Sequence, residues 1–170
     1  VAVLGAGGAG ASIAHWLIAT GADLRWVSNR SPEPAVALVD ALRKNTPDAR
    51  AKAVPWRAPS GMAAAQLVVH ASRVGHGLVG AAAEAAGQPL AHLPWAAWAE
   101  GATLVDVVYG PGKTAAERCA SNVGGTWLPR AGYAMLACQA ALSLAIWADD
   151  TAPVDAMLAV ITGPLDDGSA

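Results

Sequence analysis

Apolar positions along this chain fall into short solid runs separated by longer stretches in which they recur at helical spacing. The first run, Val1–Leu4, reads as a strand. It breaks into glycines and then a helix over Gly8–Thr20, which Gly21 ends in the C′ position. A second strand is expected over Asp23–Ser28, and a helix over Pro34–Lys44 with proline in its first turn, where the missing N–H costs nothing. Further strands are expected at Arg50–Val54, Leu67–His70, Thr103–Val108 and Gly125–Leu128, with an irregular Ala71–Gly77 after the fourth. A long helix follows over Ala131–Ala148 and a last one over Pro153–Ile161. Between strands four and five, Trp95 and Trp98 stand one helical turn apart within Gln88–Gly101, a short helix or loop whose indoles pack under the sheet.

Strands that are apolar throughout, alternating with helices, are buried on both faces. The predicted fold is α/β: a Rossmann-type doubly wound, mainly parallel six-stranded sheet. Residues 1–163 form one domain and 164–170 a flexible tail.

Composition narrows the class of function. The chain is 54% hydrophobic and 14% charged, well below the roughly 25% charged residues of an average protein. That suits a covered sheet and leaves room for a docking face, a second copy in a homodimer among the candidates. A net charge of −2 with scattered basic residues gives no footprint for nucleic acid or an anionic membrane. Cys119 and Cys138 have no metal-ligand spacing and read as reduced, buried thiols. No metal site is expected. The most apolar stretch, Ala134–Ala148, is shorter than the roughly 20 residues of a membrane span and contains Gln139. With no signal peptide in the sequence, a cytoplasmic location is expected.

The glycine turn changes the picture from fold to chemistry. Gly5-Ala6-Gly7-Gly8-Ala9-Gly10 follows a strand and opens a helix, the arrangement that lets backbone approach a pyrophosphate and aims a helix N-terminus at it. An NAD site places Asp or Glu at the end of strand two, roughly 20 residues past the glycines, to hold the ribose hydroxyls. Here that place holds Asn29-Arg30-Ser31. A guanidinium attracts a 2′-phosphate and binds it through paired hydrogen bonds, and Ser31 adds a hydroxyl donor. The cofactor indicated is NADP. Tyr109, just past strand five, can face the cleft at the carboxyl end of the sheet. Gln139, an amide on an otherwise apolar helix, needs a polar partner, either a substrate hydroxyl or a backbone group in the core.

Four segments in register resemble the shikimate dehydrogenase family. Besides the Gly-Ala-Gly-Gly-Ala turn, Asn29-Arg30-Ser31 is similar to its Asn-Arg-Thr/Ser motif. Asp106-Val107-Val108-Tyr109-Gly110-Pro111-Gly112-Lys113-Thr114 is similar to Asp-x-x-Tyr-x-Pro-x-x-Thr, and Gly132-Tyr133-Ala134-Met135-Leu136-Ala137-Cys138-Gln139 to Gly-x-x-Met-Leu-x-x-Gln. Leu67–Ser72 resembles the family's strand four ending in Asn-Ala-Thr/Ser, except that His70 replaces the Asn. The resemblance implies that Gly5, Ala6, Gly7, Gly8 and Ala9 cradle the pyrophosphate and that Asn29, Arg30 and Ser31 hold the 2′-phosphate. It implies that Ala71, Ser72, Val107 and Gly132 also contact the cofactor, the last two at its nicotinamide end, while Tyr109 and Gln139 reach a shikimate-like substrate. Pro34 departs from the family, which commonly has a second basic residue there. One lost charged contact is worth about 1.5–3 kcal/mol, roughly tenfold to a hundredfold in affinity.

The family's catalytic Lys and Asp belong to an N-terminal domain that nothing in this chain matches, so no catalytic residue is assigned and a preceding segment is expected to be missing. Lys113, near the cleft mouth, and His70 and His76 beside the strand-four loop could in principle exchange protons. They read as solvated loop side chains or cofactor neighbours. Three functions fit: the NADP-binding portion of an enzyme that reversibly reduces 3-dehydroshikimate, a related dehydrogenase of another ring polyol, and a non-catalytic NADP(H)-binding module.

Overall fold

The computed structural model describes residues 1–57, 61–76, 90–110, 112–148, 151 and 153–162. Among these, six strands form one parallel sheet in the order β3-β2-β1-β4-β5-β6, with β1 Ala2–Leu4, β2 Trp26–Asn29, β3 Lys52–Pro55, β4 Leu67–His70, β5 Thr103–Asp106 and β6 Thr126–Leu128. The order reverses at β1, which pairs with β2 on one side and β4 on the other, and that creates the crevice at its carboxyl end.

The helices are α1 Gly8–Ala19, α2 Pro32–Asn45, α3 Trp95–Ala99, α4 Ala115–Asn122, α5 Ala131–Ala148 and α6 Val154–Thr162. Alternation along the strands builds two cores. Val3, Val27 and Val69 face α1 and α2, meeting Ala14, Leu17, Val39 and Leu42. Ala2, Leu4, Val68 and Leu104 face the opposite way onto Trp56, Met62, Trp95 and Trp98, with alanines of α4 closing the layer. Both indoles of α3 are buried edge to face at 5.2 Å, and their N–H groups donate to the carbonyls of Leu90 and Met62, each at 2.8 Å.

Several elements differ from expectation. Strand two starts at Trp26, because Leu24 turns into the core while Asp23 pairs with Arg25 and Arg50 in solvent. Strand five stops at Asp106, whose carboxylate takes the Val108 N–H that a continuing strand would offer its neighbour. The helix α4 was not expected. Its start is a capping box: Thr114 Oγ1 accepts from Glu117 N–H at 3.1 Å while Glu117 Oε2 accepts from Thr114 N–H at 2.9 Å. A short 3-10 turn, Met62–Ala64, also precedes β4. Cys138 is exposed on α5 and Cys119 is half-buried, and both thiols are free.

The helix α5 is longer than the apolar stretch Ala134–Ala148 expected within it. At 18 residues it is long and apolar enough to cross a membrane by length and composition. Gly132, Ala137 and Ala141 bury its inner side, whereas Leu142, Leu144, Ile146 and Trp147 are exposed. Pro111, the expected tail 164–170 and most of the segment between strand four and Trp95 lie outside the described residues.

Candidate functional site

The glycine turn is shaped by what cannot fit inside it. Gly5 is buried with a φ of +113°, and a Cβ there would lie 2.6 Å from the backbone of Ala71. At Gly10 a Cβ would meet the Gly5 carbonyl oxygen at 2.1 Å, so α1 leaves the strand with its first turn pressed onto it. Gly7 and Gly8, by contrast, face open space. The N-terminus of α1 has no side-chain cap and no acid in its first turn, leaving its N–H groups and positive dipole end for an anion. A pyrophosphate fits this cradle.

Asn29 braces the neighbouring turn. Its Oδ1 accepts from the Ala6 N–H at 3.1 Å and its Nδ2 donates to the Ser31 carbonyl at 2.9 Å. The side chain therefore ties the glycine loop to the β2–α2 corner. Arg30 and Ser31 beyond it are exposed, and Ser31 is the N-cap residue of α2 without a side-chain cap bond. No side-chain hydrogen bond or ion pair holds Arg30 among the described residues. A guanidinium, a hydroxyl and a helix N-terminus thus occur together at the β2–α2 corner, with Glu33 in the first turn of α2 as the opposing charge.

On the other side of β1 the exits of β4 and β5 come together. Ala71 N–H donates to the Leu4 carbonyl at 2.7 Å and Val107 N–H to the His70 carbonyl at 3.0 Å. Gly132 seats α5 against this edge: a Cβ there would lie 2.3 Å from the Val108 carbonyl oxygen and 2.7 Å from that of Val107. Tyr109 is half-buried, edge-on to His76 at 5.1 Å and tilted against Tyr133 at 5.5 Å. Gln139 is exposed, about 10 Å along the axis of α5 from Gly132. Exposed to solvent, its amide is not a buried group in need of a partner, so burial calls for neither a substrate hydroxyl nor a core backbone group.

The three candidate proton carriers end up in different surroundings. His76 is exposed in the strand-four loop. Lys113 runs back along α4, its Nζ 3.2 Å from Ser121 Oγ and 4.9 Å over the Trp127 ring, so it does not stand at the cleft mouth. His70 is not a solvated loop residue: it is fully buried, with Nδ1 2.9 Å from Asp106 Oδ1 and Nε2 2.6 Å from Ser72 Oγ. Asp106 Oδ1 also accepts from Val108 N–H at 2.9 Å, and its Oδ2 from Thr114 Oγ1 at 2.5 Å. Because a carboxylate only accepts, Nδ1 donates to Asp106, and Nε2 pairs with the Ser72 hydroxyl. Every polar atom of this buried group is satisfied. Among the described residues, no cluster of three His, Cys, Asp or Glu side chains could hold a metal ion.

No protein-family model matches the chain. Curated proteins do. A shikimate dehydrogenase (NADP(+)) of Streptomyces avermitilis is 36% identical over 136 residues, covering 79% of this chain and 44% of that protein. One of Aromatoleum aromaticum is 32% identical over 169 residues, covering 99% and 56%. Among solved structures, shikimate 5-dehydrogenase from Thermus thermophilus, in complex with NADP(H) and shikimate, superposes with a TM-score of 0.68 at 31% identity, covering 95% of this chain and 53% of that one. The chain spans about half the length of the curated relatives it matches.

Proposed function

The chain belongs to the shikimate dehydrogenase family, and from that premise we propose that it is the NADP-binding portion of an oxidoreductase that reversibly reduces 3-dehydroshikimate to shikimate. NADPH, when bound, supplies the hydride. The residues of this chain hold and orient it. The uncapped start of α1 with Gly7 and Gly8 takes the pyrophosphate, and Arg30 with Ser31 takes the 2′-phosphate. Ala71, Ser72, Val107 and Gly132 line the nicotinamide side, and Tyr109 and Gln139 turn toward the substrate. No acid–base group is assigned to this chain, which spans about half the length of the curated relatives.

The observation that carries this reading is the exposed Arg30, free of protein partners among the described residues, at the carboxyl end of β2, where an acid would select NAD. Calorimetric titration with NADPH and NADH tests it. Wild type should prefer NADPH. Arg30→Ala should lower NADPH affinity roughly tenfold to a hundredfold and leave NADH unchanged, as expected for one charged hydrogen-bonding contact. Equal affinity of the wild type for both cofactors would sink the 2′-phosphate assignment.

A further inference from the structure

Resting on the NADP reading above, we propose that His70 is a positioning residue for the nicotinamide half of the cofactor, clamping the exits of β4 and β5 to each other through Asp106 and Ser72. The 2′-phosphate position at β2 fixes which way the dinucleotide runs. A cofactor lying across the crevice at β1 with its adenosine over β2 must place its other half over β4 and β5.

Those two exits have little backbone to hold them together. The last ladder bond between them is Val107 N–H to the His70 carbonyl, and the next residue of the β4 exit, Ala71, bonds across to β1 instead. Side chains take over from there. The Ser72 hydroxyl accepts from Val74 N–H at 3.2 Å and reaches His70 Nε2, so the β4 loop is anchored on one edge of the imidazole. The opposite edge holds Asp106, which in turn holds Val108 N–H and the Thr114 hydroxyl at the start of α4. One buried ring thus joins the backbone at Val74 to the backbone at Val108. Val108 is also the residue whose carbonyl seats Gly132 of α5. Losing the ring's two hydrogen bonds uncouples the Ser72–Val74 side of the β4 loop from Asp106 and the β5 exit it holds, while the glycine cradle and the Asn29 brace stay bonded to other partners.

The test separates the two halves of the ligand. Affinities for NADPH and for 2′,5′-ADP, which carries the adenosine side alone, are measured by calorimetry on wild type, His70→Phe and His70→Asn. The expected result is that H70F weakens NADPH binding about tenfold and leaves 2′,5′-ADP within about twofold, the size expected for a lost hydrogen bond to a charged group. H70N keeps a donor for Asp106 and loses the bond to Ser72, so its NADPH loss should be smaller and equally selective. Parallel loss of both ligands, or no loss of either, in H70F overturns the positioning role while leaving the NADP reading intact. Should H70F fail to fold, H70N decides alone, and wild-type affinity for NADPH in H70N overturns the role. A wild type that binds neither ligand overturns the NADP reading itself.

Discussion

Glu117 shows how one residue can serve the fold and strain it. Its carboxylate completes the cap of α4, yet the side chain is buried beside Asp106. Burial pushes its pKa above the ordinary 4.5; the Thr114 N–H pulls the other way and Asp106 adds to the rise. The folded state therefore holds this proton more tightly than the unfolded chain. The stability the group contributes is fully present below about pH 4.5 and is lost as pH rises through the elevated folded value. Glu117→Gln keeps an acceptor for Thr114 N–H and cannot ionise. Thermal melts should show the variant more stable than wild type at neutral pH, with the gap closing as pH falls toward 4.5. A gap that widens on acidification would reverse the assigned cause. At this scale the sequence was partly legible. Gly5, Arg30 and Ser31 could be placed because their neighbours along the chain state the geometry. His70 could not be, because its burial depends on Asp106 standing abreast of it on the next strand.

At the scale of elements, close approach decides more than propensity does. Helix α5 docks through Gly132 onto two carbonyl oxygens, and backbone cannot swing aside as a side chain can. Gly132→Ala should push α5 off β5, lowering stability by about 1–3 kcal/mol in urea unfolding, the range for overpacking a tight contact. NADPH affinity should fall with it, because Val107 and Val108 form that edge. Unchanged stability would mean that the helix is not held by this contact. The elements read correctly from sequence are those with a strong periodic signal or glycine punctuation, such as β1, α1, β4 and α5. Helix α4 escaped because it is short, alanine-rich and has charges inside it; its one clear signal was the Thr114-x-x-Glu117 spacing of a capping box.

For the whole molecule, alternating strands and helices announced a doubly wound sheet, and that is the architecture observed. Strand order was less accessible, since which strand flanks β1 depends on how crossovers pack and not on any local pattern. The observed order places β1 between β2, its neighbour in sequence, and β4, which arrives only after β2, α2 and β3 have been laid down. The proposed nucleotide site straddles that seam, where Gly5 packs against the backbone of Ala71. A pairing between distant parts of the chain forms late in folding, because the long loop must close before any contact rewards it. Binding competence is then a property of the finished sheet, absent from either half alone. During refolding from urea, helix content followed by circular dichroism should recover first and NADPH fluorescence enhancement afterwards, as a separate, slower phase. Simultaneous recovery would mean that the seam closes as early as the helices form. For a protein that folds in this order, the cofactor acts as a latch: it binds only once both halves have met, and it slows their parting.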